Sequence, residues 1–121
     1  MRLKIYAYEN CDTCRKAIRF LRARKVAFEL IPIREQPPTA GELRHMLRLQ
    51  GGDLRKLFNT SGRDYQALGL KDQLPGMSVD DALGLLSQNG NLVKRPFVLA
   101  GTQGRVGFQL ADWEQWLPNP A

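Results

Sequence analysis

The sequence predicts an α/β domain built on one mixed sheet of four strands, with helices covering the faces of the sheet. Near the start of the chain, a strand, a helix and a second strand follow one another, which is the order of a unit with two parallel strands. Near the end, two strands form a hairpin that leads into a last helix. The intervening residues, 37–90, are too many for a loop and too regular for disorder, so we expect an inserted helical segment.

The first strand is predicted over Arg2–Ala7, where apolar residues alternate with Arg2, Lys4 and Tyr6. A helical run follows, and its apolar stripe consists of Ala17, Ile18, Phe20 and Leu21. The second strand is predicted over Val26–Ile31, which is rich in β-branched and aromatic residues. This order predicts two parallel strands that are joined by a right-handed helical crossover.

The helices of the insertion are predicted from the residues that start and end them. Thr39 and Glu42 form a capping box, because the Thr39 hydroxyl can accept the free backbone N–H three residues on. The predicted segments begin at Thr39, Asp53, Arg63 and Ser78. They end at Gly51–Gly52, Phe58, Leu68–Gly69 and Asn89–Gly90.

The last part of the chain is predicted to form a hairpin and a closing helix. Phe97–Ala100 is a buried strand, Gly101–Gly104 is a tight turn and Arg105–Phe108 is the returning strand. The closing helix, Ala111–Leu117, is followed by a frayed tail, Pro118–Ala121. The apolar side of that helix consists of Trp113, Trp116 and Leu117.

The composition is that of one globular domain, since 43% of the 121 residues are apolar and 25% are charged. We expect residues 1–35 and 91–121 to form its core and residues 37–90 to form the insertion. No apolar run approaches the roughly 18 residues of a membrane span. The first residues do not resemble a signal peptide, so we expect a reducing, cytoplasmic location. A monomer is the default expectation at this size.

The net charge of +6 is concentrated in the first half of the chain. No acidic residue lies between Thr13 and Phe28. The cations of that stretch are Arg15, Lys16, Arg19, Arg22, Arg24 and Lys25. Such a run is either a solvated helix face or a surface that attracts an anion, an acidic protein or nucleic acid. Since no helix-turn-helix pattern or aromatic-basic interleaving is present, we expect no direct sequence-specific contact with nucleic acid.

The strongest chemical signal is the motif Cys11-Asp-Thr-Cys14, where the first strand passes into the helix. A Cys-x-x-Cys motif in this context is typical of thioredoxin-like redox proteins. Cys11 is expected at or near the helix N-cap, where free N–H groups and the helix dipole favour the nucleophilic thiolate. Arg15 and Lys16 add positive charge nearby. Cys14 lies one turn on, within reach to resolve a mixed disulfide or sulfenic acid on Cys11.

Two other interpretations of the cysteines stay open at this point. A structural zinc site needs about four ligands, whereas the chain offers two cysteines and His45, which is far away in sequence. The other alternative is a pair of inert, buried thiols, although a helix start with flanking cations favours reactivity. His45 itself is expected to be a surface or half-buried residue of a helix.

Arg95 and Pro96 lead directly into the third predicted strand. A proline there is often only a boundary device. In a thioredoxin-like sheet this position faces the reactive cysteine, and the proline is often cis. Arg95 would then point towards the Cys11 loop and stabilise a thiolate or an oxyanion, unless it is simply a solvated arginine before a strand.

Three segments of the chain carry a family resemblance. They are Asn10–Ala17 after a strand, Lys94–Pro96 before another strand, and Arg105–Phe108 followed by a helix that ends in Trp116–Pro118. In this order they resemble the ArsC/Spx family of arsenate-reductase-like proteins. The resemblance covers nearly the whole chain and implies a thioredoxin-type fold with a helical insertion.

Arsenate reductases of this family use one cysteine and three arginines around the oxyanion. The resemblance matches Cys11 to the nucleophile and Arg95 to the second arginine, whereas the first and third arginines fall at Asn59 and Phe108. The nearest arginines in the sequence are Arg63 and Arg105. Each lost charge-assisted contact weakens anion binding by roughly 1.5–3 kcal/mol, so arsenate reduction is the less expected activity.

Two further branches of the family are similar to this sequence. The Cys-x-x-Cys motif resembles the Spx/MgsR regulators, which bind the C-terminal domain of the RNA polymerase α subunit and sense oxidants through a disulfide. Gly51 or Gly52 falls roughly at their polymerase contact, although glycine is also an ordinary helix terminator. The turn Asn10–Thr13 is similar to that of small relatives thought to be glutathione-dependent thiol reductases.

We therefore expect a thiol-disulfide reductase or redox protein that acts on a small thiol or a protein disulfide. Glutathione or another thiol is the expected cosubstrate, with no metal and no bound cofactor. The alternative is a redox-sensing transcription regulator that binds the RNA polymerase α subunit. The candidate catalytic residues are Cys11, Cys14 and Arg95, and the candidate thiol- or anion-binding residues are Asn10, Asp12, Thr13, Arg15 and Pro96.

Overall fold

The computed structural model describes residues 2–117 and contains one mixed sheet of four strands, as predicted. The strands are β1 (Leu3–Ala7), β2 (Phe28–Pro32), β3 (Phe97–Ala100) and β4 (Gln103–Val106), in the spatial order β2-β1-β3-β4. Strand β3 pairs antiparallel with both β1 and β4. The α/β fold class is therefore confirmed.

Six α-helices accompany the strands in the described part of the chain. They are α1 (Asp12–Ala23), α2 (Ala40–Leu49), α3 (Arg63–Ala67), α4 (Leu70–Gln73), α5 (Val79–Gln88) and α6 (Leu110–Trp116). Short 3-10 helices cover Leu54–Leu57, Leu74–Gly76 and Gly90–Leu92. Helix α4 and the last two of these short segments were not predicted, because each is too short to show an apolar period. None of the helices in residues 2–117 is long and apolar enough to cross a bilayer.

The chain divides into two compact units. Pro32–Lys94 forms one unit, and the described residues on either side of this segment form the other. The cysteine motif and the Arg95–Pro96 segment belong to the same unit, which also contains α1, α6 and most of the sheet. The candidate site can therefore be described within that unit alone.

The core of the sheet-containing unit is built from the apolar face of α1, from β1 and β3, and from α6. Helix α1 buries Cys14, Ala17, Phe20 and Leu21. From α6, Trp113 is 1% exposed, and its ring lies 4.9 Å from that of Phe108 and 5.9 Å from that of Phe20. These contacts fix α1, and with it the cysteine motif at its first turn.

Two sequence-based expectations about this unit were wrong in detail. Tyr6 is buried, not polar-facing, because β1 is an inner strand of the sheet, and its ring packs edge-on against Phe97 at 5.8 Å. Strand β4 starts at Gln103, two residues earlier than expected, because Gly101 and Thr102 alone make the turn and Ala100 pairs with Gln103. The predicted tail, Pro118–Ala121, lies outside the described residues.

The start of β2 also differs from the prediction. The strand begins at Phe28, two residues after the predicted start, because Val26 still donates a backbone hydrogen bond to Leu21 of α1 at 3.0 Å. Lys25 makes the turn between them with a φ of 56°. The helix therefore needs two more residues of connection than the apolar pattern indicated.

The capping signals of the insertion are confirmed. Thr39 Oγ1 accepts a hydrogen bond from the Glu42 N–H at 3.1 Å, and Glu42 Oε1 accepts one from the Thr39 N–H at 2.9 Å. Ser78 caps α5 by accepting from the Asp81 N–H at 3.1 Å. These local hydrogen bonds set where α2 and α5 begin.

Gly90 is the tightest backbone position in the unit formed by Pro32–Lys94. It is buried, and a Cβ atom there would overlap the Ile33 carbonyl group. Its φ is not in the left-handed region, so the requirement for glycine comes from close approach of two backbone segments and not from strain. The sequence indicated only that Gly90 ends a helix.

Candidate thiol site

Cys11 is the N-cap residue of α1, as predicted. Its backbone is extended, with φ −99° and ψ 121°, and its carbonyl accepts the Arg15 N–H at 3.0 Å. Its Sγ atom accepts a hydrogen bond from the backbone N–H of Cys14 at 3.4 Å. The sulfur is only partly buried and lies at the positive end of the helix dipole.

Cys14 lies in the first turn of α1 and is fully buried. The pKa of the Cys14 thiol is raised to about 12, mainly by burial, and a hydrogen bond with the Cys11 side chain and the charge of Cys11 contribute in the same direction. A hydrogen bond from the Tyr8 backbone and the charge of Arg95 act in the opposite direction. The reduced protein therefore keeps a proton on Cys14 at neutral pH.

The Arg95–Pro96 segment belongs to the same site. The peptide bond between the two residues is cis, and Pro96 is buried at the start of β3. The guanidinium carbon of Arg95 lies 5.5 Å from the centre of the Tyr8 ring, within the range of a cation–π contact. Arg95 Nη1 is buried and makes no hydrogen bond with residues 2–117, so this nitrogen can donate to an anionic group of a substrate.

The other candidate residues lie either in the loop before α1 or in the first turns of α1. Asn10 is exposed, and its Nδ2 atom donates to the Tyr8 hydroxyl at 3.2 Å. Asp12 and Thr13 are exposed in the first turn of α1. Arg15 binds the Asp12 carboxylate at 3.0 Å and the Glu9 carbonyl at 2.8 Å, so its charge is shared with those oxygens and is not held for the sulfur of Cys11.

No group of three or more metal-ligating side chains occurs in residues 2–117. His45 is a half-buried residue of α2, as expected, and its Nε2 atom has no hydrogen-bond partner in the described part of the chain. The reactive and charged groups of the candidate site are therefore two cysteine sulfurs and one guanidinium.

A comparison with protein families decides the relationship. The family model described as ArsC family matches residues 6–116. This chain belongs to the ArsC family. The matched range contains both cysteines and the Arg95–Pro96 segment, so the family assignment covers the candidate site as well as the fold.

Individual relatives of this ArsC-family protein agree with the assignment. The uncharacterized protein YusI of Bacillus subtilis is 43% identical over 95% of this chain and 98% of its own. An ArsC family related protein from Bacteroides fragilis is 36% identical, with a TM-score of 0.88 over 95% of this chain and 97% of its own. The global transcriptional regulator Spx 1 of Lactococcus lactis is 27% identical over 97% of this chain and 90% of its own.

The sequence analysis matched Asn59 and Phe108 to two of the oxyanion arginines, and neither residue is a cation. Phe108 is a partly buried aromatic residue that packs against the core, with its ring 5.8 Å from that of Phe20. Arg105, its neighbour in sequence, binds Asp112 at 2.7 Å and lies over the Trp116 ring at 4.6 Å.

Asn59 and Arg63 lie in the unit formed by Pro32–Lys94. There, Asn59 donates to the Asn91 carbonyl at 3.4 Å, and Arg63 is exposed at the start of α3. Of the three positions that the sequence analysis matched to the oxyanion arginines, Arg95 is the one that holds an arginine.

Tyr8 is the site residue that the sequence analysis missed. Its backbone hydrogen bonds to Cys14, its ring lies under Arg95, and its hydroxyl accepts from Asn10. The available signal was an aromatic residue between the end of β1 and the cysteine motif. Its contact with Arg95 joins residues far apart in the chain, so no local pattern indicated it.

The charge of Arg95 leads to a prediction about pH. In a Cys11→Ser protein Cys14 is the remaining thiol, and adding Arg95→Gln is expected to raise the pKa of Cys14, because a nearby cation that favours the thiolate is removed. The ultraviolet absorbance of the thiolate, measured against the protein that lacks both cysteines, gives the midpoint. Arg105→Gln is the matched control, since Arg105 already binds Asp112. An equal midpoint with and without Arg95 contradicts the prediction.

Proposed function

We propose that this protein is a bacterial thiol-disulfide reductase of the reducing cytoplasm, acting on mixed disulfides of glutathione or on protein disulfides. The observation that carries the proposal is the geometry of the two sulfurs. Cys11 Sγ lies at the helix N-cap and is partly exposed, and the Cys14 thiol is buried one turn along the same helix. This arrangement supports one attacking and one resolving sulfur.

The proposed reaction has two exchange steps. The Cys11 thiolate attacks one sulfur of the substrate disulfide, so that a Cys11 mixed disulfide forms and the departing thiolate takes a proton from water. Cys14 then gives up its proton and attacks Cys11 Sγ, which closes the Cys11–Cys14 disulfide and releases the second substrate thiol. Two electrons pass to the substrate, and glutathione or another external thiol returns them.

The second step needs the Cys14 proton to leave, and the first step favours this. Once Cys11 is part of a mixed disulfide, its sulfur no longer carries the charge that raises the pKa of Cys14. The Tyr8 backbone and Arg95 still favour the Cys14 thiolate, while burial still opposes it. The site therefore protects the resolving thiol until a substrate is bound.

Arsenate reduction is the less favoured activity for this chain. Phe108, which packs against the core, stands at the position matched to an arginine, and the nearby Arg105 is bound to Asp112. An oxyanion would meet Arg95 without the two additional charge-assisted donors that the family uses.

The first prediction concerns the nucleophile. Cys11→Ser is expected to reduce the release of glutathione from a small mixed disulfide to the uncatalysed rate, because a serine hydroxyl is not ionised at neutral pH. Release is followed over time with an external thiol as reductant. Ser61→Ala is the control, since Ser61 is exposed in the other unit. Turnover by the Cys11→Ser protein at more than half the wild-type rate would exclude this assignment.

A redox-sensing transcription regulator is the second candidate function. The similarity to Spx 1 over nearly the whole chain favours it, as does the Cys-x-x-Cys motif. Purified C-terminal domain of the RNA polymerase α subunit distinguishes the two functions in a pull-down. Binding that changes when Cys11 and Cys14 are oxidised supports the regulator, whereas glutathione release without such binding supports the reductase.

A further inference from the structure

The outward face of α1 is strongly basic. Its residues, apart from those that face the core, are Asp12, Thr13, Arg15, Lys16, Arg19, Arg22 and Ala23, and all of them are exposed. Asp12 is the one acidic member, and it binds Arg15 at 3.0 Å. Lys16, Arg19 and Arg22 have no ion pair with any residue among 2–117.

These cations weaken the helix that carries them. Arg15 and Arg19 are four residues apart, and Arg19 and Arg22 are three apart, so their side chains are neighbours on the helix surface. Like charges at these spacings destabilise the helix. A bound anionic surface would remove this repulsion.

The basic face begins at the reactive sulfur. Cys11, Arg15 and Arg22 are separated by four and seven positions, the spacing of one helix face, and Arg19 lies beside that row. At a rise of about 1.5 Å per residue, the row extends roughly 16 Å from Cys11 along the helix axis. An extended peptide of about five residues covers the same length, whereas a single small thiol does not.

We propose that this basic face docks an acidic segment of a protein and presents the disulfide of that segment to Cys11. The inference rests on the proposed reductase function and deepens it by naming the substrate class: protein disulfides flanked by Asp and Glu. The Cys11 thiolate forms a disulfide with the cysteine of the segment and displaces its former partner thiol. Cys14 then closes the disulfide with Cys11 and releases the reduced segment.

Charge and composition favour a protein over nucleic acid as the occupant. The outward face of α1 offers cations but no aromatic side chain on which a base could stack. The basic face runs along the helix that begins at Cys11, so a partner bound there can present a disulfide to Cys11 only if it contains sulfur, and nucleic acid contains none. Electrostatic attraction of this kind acts mainly on the rate of association.

The test uses three synthetic peptides of equal length, each with one central cysteine in a mixed disulfide with glutathione. The flanking residues are Glu in the first peptide, Ser in the second and Lys in the third. With the reduced full-length protein at low salt, we expect glutathione release from the Glu peptide to be about tenfold faster than from the Lys peptide, and this ratio should fall towards one at high salt.

The matched variants change the same number of charges at two places. Arg19→Glu/Arg22→Glu is expected to abolish or invert the preference for the Glu peptide over the Lys peptide, and circular dichroism shows whether the variant is folded. Arg63→Glu/Lys71→Glu makes the same change at exposed residues of the other unit and is expected to keep the preference.

The outcomes separate this inference from the function on which it rests. Equal rates with the three peptides overturn the docking proposal and leave the reductase intact. Failure to reduce any peptide or a small glutathione disulfide overturns the reductase itself. If Arg19→Glu/Arg22→Glu weakens binding to an oligonucleotide but leaves the preference among the peptides unchanged, the face is a nucleic-acid surface and the docking proposal is wrong.

Discussion

Replacing Cys14 with serine is expected to stop the reaction after its first step. The Cys11 thiolate still attacks the substrate, but the buried sulfur that would displace the product is gone. In a single turnover with no added thiol, a mixed disulfide should accumulate to one equivalent per chain. Mass spectrometry of the intact protein measures this adduct directly.

The rate of product release in the Cys14→Ser protein should fall by about a hundredfold or more, because resolution then depends on an external thiol. An attacking group held one helical turn away acts at an effective concentration far above that of a free thiol. The double variant with Cys11→Ser should form no adduct. If the Cys14→Ser protein releases both thiols at the wild-type rate, Cys14 is not the resolving sulfur.

In the wild-type protein, resolution of the mixed disulfide by Cys14 has a pH dependence whose sign follows from burial. Since burial raises the pKa of Cys14, its thiolate is scarce at neutral pH, and the rate of resolution should rise with pH. Loss of the charge on Cys11 in the mixed disulfide lowers the pKa of Cys14 relative to that in the reduced protein. Quenched-flow measurement of adduct decay should therefore give a midpoint below about 12.

Gly90→Ala is expected to have the largest effect on stability of any single methyl addition considered. The new Cβ would overlap the Ile33 carbonyl, and backbone atoms cannot turn away as a flexible side chain can. We expect a loss of about 3 kcal/mol in the free energy of unfolding. The change is measured by urea denaturation followed by circular dichroism.

Gly84→Ala is the matched control. Gly84 lies within α5, and no heavy atom lies within 4 Å of a Cβ placed there. Because alanine is the better helix former, this variant should be more stable by up to about 1 kcal/mol. A Gly90→Ala protein with wild-type stability would mean that the segments carrying Ile33 and Gly90 separate easily.

Local chemistry explains most of what could be predicted from the sequence. The capping box of Thr39 and the N-cap position of Cys11 depend on hydrogen bonds between residues three apart, so their sequence signals are direct. The mixed sheet of four strands could be predicted from the strand–helix–strand pattern and the hairpin. Burial of Tyr6 was missed because it depends on β1 having a neighbour on each side.

The parts of the site that escaped prediction depend on contacts across the chain or on competition for one side chain. The position of Arg95 over Tyr8 joins a residue that precedes β3 to one that follows β1. Arg15 was expected to support Cys11, but Asp12 and the Glu9 carbonyl compete for its guanidinium at shorter range. The close approach of Gly90 to Ile33 has no local signal at all.

The proton held by Cys14 bears on how the protein meets soft metal ions. Chelation by a pair of cysteines needs both sulfurs as thiolates, and binding must expel any proton that remains. Because the pKa of Cys14 is raised to about 12, copper or zinc must displace the Cys14 proton before both sulfurs can bind the ion. Binding of a soft metal ion by both cysteines should therefore become stronger as the pH rises.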